Sequence, residues 1–399
     1  MLFSLSKEYD VVVCGAGPAG LMAAYTLGKL TSGSRKVLLL DKKEPWKEPI
    51  FCAEAVSRDR LSALWPVDPS FVRGPLSGIY FTSPKRYRAE FYSKDCGLIL
   101  DRARFHHAIA DGCVNAGVEC HYDVLIKKLE RSGSGWQLTV DVGGNLETVS
   151  ARTIIDATGP GCKLTRDIEC LQGIESGNAD LEPAIFAVAE GIEHSREHIE
   201  LFFGSEFESG YGWIFPRDGV EVNIGFVLGK NVKSKVSLRQ KLMDFVAHDY
   251  PQAKVKAVYG GMIACTGPQS KPFAKNGLFK AGDAASCVNP ISRSGIVESL
   301  LCGKIVAESV SEWLKESTDE GRALVESLVQ PRWMQSLGKS HVQLARAKDA
   351  FNSIRDSQFD RAAKHLSKLP REKQTLFRIF FNVLWACPSL IWKMRSFLH

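Results

Sequence analysis

The stretch YDVVVCGAGPAG, residues 9 to 20, constrains the fold more than any other part of the chain. A short apolar run, Val11 to Cys14, enters a glycine-rich turn. The apolar spacing then becomes helical as far as about Leu30. KVLLLD, residues 36 to 41, is a second short apolar run and ends in an acid. Strand, turn, helix, strand and acid in this order predict a parallel βαβ unit that binds a dinucleotide. Gly15 permits the tight turn, Gly17 lets the backbone approach a pyrophosphate, and Gly20 lets helix and strand pack closely, with Ala19 in the same loop. The helix N-terminus directs N–H donors and the positive end of its dipole at the phosphates. Asp41 stands where a ribose hydroxyl donates its hydrogen bond. FAD and NAD both use such a unit, so this stretch does not separate them, and a glycine-rich packing turn is the structural alternative.

Composition removes other classes. The 399 residues are 45% hydrophobic and 24% charged, a balance that suits two or three globular domains and excludes a disordered chain. The net charge of +6 is spread without long basic runs, which argues against nucleic acid. Eleven cysteines, an odd number with no CxxC pair, predict reduced thiols and a cytoplasmic protein. Residues 11 to 27 carry no charge, but glycines and a proline interrupt them and they fall short of the roughly 20 residues of a membrane-spanning helix. The histidines show no HExxH or clustered ligand spacing, so no metal is expected; His106 and His107 read as solvated or core-capping residues of a helix. There is no GxSxG elbow and no second GxGxxG to hold a separate nicotinamide cofactor.

Three further segments decide the cofactor. RTIIDATG at 152 to 159, GLFKAGDAAS at 277 to 286 and DRARFHHAIADGCVNAGVE at 101 to 119 together resemble the motif set of flavoprotein hydroxylase-type FAD enzymes, the p-hydroxybenzoate hydroxylase-like fold. The resemblance implies FAD rather than NAD. It implies that Asp283, after Gly282, hydrogen-bonds the ribityl chain and that Arg102 lies near the cofactor phosphates. It further implies that Gly159 belongs to the cofactor site, and that the helix opening at Gly295 and Ile296 points its N-terminus at the flavin.

A narrower resemblance follows. YGWIFP, from Tyr211 to Pro216, matches the YxWxFP signature of geranylgeranyl reductases, and VEVNIGF behind it resembles their next strand. This implies that Tyr211, Trp213, Phe215 and Pro216 line a tunnel for an isoprenoid chain, a task suited to flat, rigid side chains. Filling the core of a sheet is the other use of such residues. EPIFCAEAVS at 48 to 57 resembles the Cys-Ala-Glu segment that these reductases place near the flavin, with Cys52 and Glu54 in the catalytic positions. Two departures stand out: Glu208 occupies a position where the fuller signature has proline, and Ser292-Arg293-Ser294 replaces a glycine-rich turn. Arg293 either brings positive charge to the reduced flavin or faces solvent.

The expected fold class is α/β: a Rossmann-like FAD-binding domain, an antiparallel-sheet substrate domain and a C-terminal helical region. The FAD domain is expected to be discontinuous, over 1–75, 96–177 and 265–315. The substrate domain takes 76–95 and 178–264, and helices take 316–399. Residues 376–398 are rich in Phe, Trp, Leu and Ile around Pro388, and read either as a surface that docks on a membrane interface or as ordinary core.

The implied activity is FAD-dependent saturation of C=C bonds in an isoprenoid or prenyl lipid. NADPH or ferredoxin is the external electron donor. An isolated trisubstituted alkene accepts hydride poorly, so a proton must reach one carbon as hydride reaches the other; Cys52 is the candidate acid or relay, with Glu54 orienting or reprotonating it. A flavin monooxygenase or halogenase of the same fold, and a non-catalytic prenyl-lipid carrier, are the alternatives.

Overall fold

The computed structural model describes residues 7–161, 164–165, 168, 181–229, 236–265, 272–370, 373–374 and 385. In chain order the elements are β1 (Glu8–Cys14), α1 (Pro18–Thr31), β2 (Val37–Leu40), β3 (Ala55–Ser57), α2 (Arg58–Ser62), β4 (Val72–Thr82), β5 (Arg88–Leu100), α3 (Arg102–Asn115), β6 (Glu119–His121), β7 (Val124–Ser132), β8 (Gly135–Val142) and β9 (Asn145–Asp156). There follow β10 (Leu181–Glu190), β11 (His198–Phe202), β12 (Tyr211–Pro216), β13 (Val222–Val227), α4 (Leu238–Asp249), β14 (Lys254–Ala264), β15 (Ala274–Lys275), β16 (Leu278–Lys280), α5 (Ile296–Glu316), α6 (Asp319–Trp333), α7 (Lys339–Phe351) and α8 (Asp356–Leu366). The α/β class expected from the sequence is the class observed.

The chain forms two compact units. One comprises Met1–Ile50, Arg102–Asp180 and Ala264–Val342; the other comprises Phe51–Asp101, Leu181–Ile263 and Gln343–His399. Residues 51–75 run with the second unit because β3 and β4 both pair with β5. Residues 316–342 run with the first.

The first unit holds a sheet in the order β15-β16-β9-β1-β2-β6, with the β7–β8 meander joined to β9. β1 is parallel to β2 and β9, and β9 is parallel to β16, so the carboxyl ends of four strands meet along one edge. Alternation sorts the side chains of β1. Val12 and Cys14 pack with Trp136, Leu138 and Ile154 beneath the meander, while the equally buried Val11 and Val13 face the other side. A strand buried on both faces must be apolar throughout, and that is the run the sequence shows.

In the second unit the sheet order is β14-β10-β13-β12-β11-β4-β5-β3; the pairs β10–β13, β13–β12, β12–β11, β4–β5 and β5–β3 are antiparallel, and β11 runs parallel to β4. Its two faces differ. Ile185, Ala187, Ile214, Ile224 and Phe226 form a core with Leu242 and Val246 of α4. The opposite face carries Phe186, Trp213 and Val227, with the half-buried Tyr211, Phe215, Tyr259 and Ile263 around them. Among the described residues, no helix is long and apolar enough to cross a membrane.

Candidate functional site

Around the glycine loop of the first unit, each small residue answers a steric demand. Gly15 has φ +105°, and a Cβ there would run into the Ala157 carbonyl. A Cβ on Gly20 would strike the Gly15 carbonyl, and one on Gly303 of α5 would strike that of Ala19. Ala19 is buried where Gly282, at φ +65°, would bring a Cβ to 2.7 Å from its methyl group. The turn after β16, helix α5 and the first turn of α1 thus close on one another only with these residue types. Gly17 is the exception. A Cβ there meets nothing within 4 Å, so the space before the α1 N-terminus is open.

That N-terminus suits an anion. Its cap is Gly17, no side chain caps it, and its first turn has no acid. Asp41, just past β2, accepts from the Ala16 N–H at 2.6 Å and the Lys43 N–H at 3.2 Å, so the carboxylate expected at a ribose also braces the glycine loop. Asp156 closes β9 and holds the turn after it, accepting from the Thr158 N–H at 3.0 Å, the Thr158 hydroxyl at 2.6 Å and the Thr165 hydroxyl at 2.9 Å. Gly159 follows at φ +91° with open space at its Cβ position. Burial and the nearby Asp156 and Asp41 carboxylates push the Cys14 thiol up, so it stays protonated core.

Asp283 lies in a 3-10 turn, Gly282–Ala285, and burial raises its carboxyl to about 6, with Glu298 adding to the rise and Ser299 and Arg102 opposing it. Gly295 caps α5, and a Cβ on it would lie 3.8 Å from Asp283 Oδ1; Ile296 beside it is buried. The departure at 292–294 has a local account. Asn289 Oδ1 accepts from the N–H groups of Ile291 and Ser292, each at 3.0 Å. The Ser294 hydroxyl donates to Glu298 at 2.9 Å, and Arg293, at φ +56°, donates through Nη1 to the Ile291 carbonyl at 2.6 Å. Arg293 therefore spends part of its guanidinium on its own turn.

Arg102 is buried at the start of α3, and the sequence does not reveal what holds it there. His106, one helical turn on, faces Arg102 Nη2 with Nε2 at 2.6 Å and the Pro45 carbonyl with Nδ1 at 2.7 Å. A guanidinium only donates and a carbonyl only accepts, so the imidazole is neutral with its proton on Nδ1. Burial, then the Arg102 charge, lower its pKa from 6.5 to about 3. His106 is thus a buried positioning residue, whereas His107 is exposed. The unfolded chain takes up a proton at His106 as pH falls through 6.5 and the folded chain does not until about 3, so stability is full above 6.5 and lost between those values. We expect His106→Gln, which keeps an acceptor and a donor, to make the fall in unfolding free energy between pH 6 and 4 shallower by about 1.4 kcal/mol per pH unit, read by urea titration. Equal slopes in the two proteins would refute this.

In the second unit Tyr211, Trp213 and Phe215 alternate onto the face opposite α4, while Pro216 turns with Ile214 toward the α4 side, paired with the core residue Val222. Three of the four expected lining residues therefore share a face, and Pro216 is not among them. Gly225 on β13 leaves the room that the Trp213 ring uses, since a Cβ there would sit 2.7 Å from Cζ2. Glu208, which stands where proline was expected, has φ +47° and an ion pair with Lys241. Proline is locked near −65° and cannot adopt that backbone.

The Cys52-Ala53-Glu54 segment lies in this same unit. Cys52 is half-buried, and its Sγ accepts from the Glu54 N–H at 3.2 Å. Glu54 has φ +75° and a buried carboxylate between Arg217 Nε at 3.0 Å and Arg73 Nε at 3.7 Å. Arg73 also reaches Asp101 at 3.2 Å and pairs with Asp218. Glu54 meets the thiol through its backbone and turns its carboxylate to the arginines. Neither Arg73 nor Arg217 was singled out in the sequence, although Arg217 directly follows YGWIFP.

The family model described as FAD dependent oxidoreductase matches residues 47–309, and the FAD binding domain model matches residues 10–56. The chain is 29% identical to a digeranylgeranylglycerophospholipid reductase of Methanosarcina acetivorans, over 97% of this chain and 95% of that one. It is 28% identical to the enzyme of that name from Methanocaldococcus jannaschii, over 91% and 92%. Among solved structures it resembles a geranylgeranyl bacteriochlorophyll reductase-like protein of Thermoplasma acidophilum, with a TM-score of 0.86 and 20% identity over 98% of this chain and 99% of that one. A flavin-dependent brominase shares the fold less closely, at a TM-score of 0.68 and 17% identity over 96% and 91%. The open approach at Gly17, the uncapped α1 N-terminus and the small residues that close around Ala19 fit FAD. The chain belongs to the FAD dependent oxidoreductase family, with FAD as its cofactor.

Proposed function

We propose that the protein saturates C=C bonds of a prenyl lipid. The observation that carries this is the row Tyr211, Trp213, Phe215 on the sheet face that α4 leaves uncovered, in a chain aligned along almost its whole length with digeranylgeranylglycerophospholipid reductases. Bound FAD supplies the hydride. In the first unit Gly17 and the α1 N-terminus take the pyrophosphate, Asp41 a ribose, Arg102 the phosphates, and Asp283 the ribityl hydroxyls. In the second unit the aromatic row takes the hydrocarbon chain and excludes water from it, while Cys52 holds the proton that the second alkene carbon requires. Glu54 is a positioning residue in this reading, because a carboxylate paired with two guanidinium groups is a poor proton donor. NADPH or ferredoxin reduces the enzyme. Contact with a membrane surface through residues 376–398 rests on their sequence; apart from Trp385 they lie outside the described residues.

The test is anaerobic reduction followed by titration with prenyl lipids of two lengths. Reoxidation by the alkene, with a saturated product, is the expected result. Product formation only on admission of oxygen would favour the oxygenase or halogenase chemistry, and binding without reoxidation would make the protein a carrier. Trp213→Ala sharpens the test. Removing the indole takes away contact worth about 3 kcal/mol at a buried site, so the affinity for the longer lipid falls by about a hundredfold and that for the shorter one by less. An unchanged length preference, with thermal stability and FAD content both lowered, would make Trp213 a core residue only.

A further inference from the structure

The signature strand and the cysteine segment are joined by one side chain. Asn223 lies on β13 beside β12 and is 1% exposed. Its Oδ1 accepts from Trp213 Nε1 at 2.8 Å, and its Nδ2 donates to the Cys52 carbonyl at 3.0 Å. The orientation of the amide admits no alternative. An indole N–H only donates and a backbone carbonyl only accepts, so exchanging oxygen and nitrogen would oppose donor to donor and acceptor to acceptor. Asparagine is the residue that places an acceptor and a donor on one short planar group; Asp, Leu or Ser each loses one or both contacts.

We propose that Asn223 is a positioning residue of the alkene reduction, setting the Cys52 main chain from the place that Trp213 takes on the aromatic face. The consequence is a mechanical link. When a hydrocarbon chain presses on Trp213, the indole, the amide and the Cys52 carbonyl move as one hydrogen-bonded row, and the thiol is brought to its working position by the lipid that needs its proton. The other end of the segment is fixed independently: the Glu54 carboxylate is held by Arg217 and Arg73, and the Leu100 N–H donates to the Glu54 carbonyl at 2.9 Å. With the Glu54 end pinned, Asn223 acts on the segment at its cysteine end through the Cys52 carbonyl. The inference rests on the reading of Cys52 as the proton-bearing group, and its first readout does not depend on that reading.

That readout is the rate of alkylation of Cys52 by iodoacetamide in the whole protein, followed by mass spectrometry of the Cys52 peptide, with and without a saturating prenyl lipid. In the wild type the lipid changes the rate. In Asn223→Asp the shape is kept and the indole still finds an acceptor, but an ionised carboxylate opposes the Cys52 carbonyl; in Trp213→Phe the ring is kept and the N–H donor is lost. Both variants are expected to shrink the lipid effect by about tenfold, the free energy of one buried hydrogen bond. Alkene-driven reoxidation falls by a similar factor in kcat, with KM for the lipid changed by less than about threefold and reduction of the enzyme by dithionite unchanged. Lowering the pH protonates the introduced carboxylate in Asn223→Asp and restores a donor to the Cys52 carbonyl, so the kcat of that variant recovers relative to wild type. In a Cys52→Ser background Asn223→Asp causes no further loss. A lipid effect on alkylation that survives in both variants overturns the proposal, as does an additive loss in the Cys52→Ser background. Wild-type turnover by Cys52→Ser alone would instead remove the role of the thiol, and the alkylation result would still report whether Asn223 links it to the aromatic face.

Discussion

Gly17→Val is expected to leave a folded protein that has lost FAD, and Gly20→Ala a protein that folds poorly. Both residues belong to one fingerprint, but the structure separates what they do. At Gly17 the backbone is extended, φ −71° and ψ 179°, which valine adopts readily, and a Cβ meets nothing. The added side chain occupies only the open space where a pyrophosphate comes, so FAD affinity falls by about a hundredfold or more while the unfolding free energies of the two FAD-free proteins stay within about 1 kcal/mol of each other. At Gly20 the Cβ runs into the Gly15 carbonyl, backbone against backbone, with Ala157 close by. Relief requires α1 to lift from β1, at a cost of about 3 kcal/mol or more. Flavin fluorescence after denaturation gives the FAD content, and urea unfolding gives the stability. A Gly17→Val protein that keeps its FAD would move the pyrophosphate elsewhere, and an unperturbed Gly20→Ala transition would deny the close packing of α1.

Cys52→Ser is the second large effect. Serine puts a hydroxyl that scarcely ionises in place of the more acidic thiol, at nearly the same size and in a half-buried place. The carbonyl at position 52 still meets Asn223, and the Glu54 N–H still finds an acceptor at Oγ, so stability and FAD content are expected to hold. Alkene-driven reoxidation is expected to fall by about a hundredfold or more, the usual contribution of a positioned acid. Reduction of the enzyme by dithionite proceeds as before. A serine variant that turns over like wild type would make Cys52 a residue of packing.

The departures from the reductase signature divide along physical lines. Glu208 occupies a left-handed turn closed to proline and secures it through Lys241, so the missing proline reports a different turn. Ser292-Arg293-Ser294 replaces glycine flexibility by a net of side-chain hydrogen bonds rooted in Asn289 and Glu298, with Arg293 held in part by the Ile291 carbonyl.

What the sequence determined by itself was whatever depends on neighbours along the chain. Apolar runs of strand length, glycines at turn spacing and an acid at the next strand end specify β1, α1, β2 and Asp41, since each rests on backbone sterics within a few residues. For YGWIFP the resemblance implied one lining role for Tyr211, Trp213, Phe215 and Pro216, and the strand in the structure puts the first three on one side and Pro216 on the other. The sequence did not say which side α4 would cover, because that is settled by Leu242 and Val246 arriving from a separate helix. The units into which residues 51–75 and 316–342 fall depended on strand pairing and helix packing between distant segments. So did the company of the reactive groups. Asn223 meets the Cys52 carbonyl across 171 positions, His106 meets Pro45 across 61, and Arg73 and Arg217 close on Glu54 from two different strands' ends. No periodicity marks such pairs. A polar side chain finds its partner only after burial has removed water from both, and which groups are buried together is a property of the tertiary structure alone.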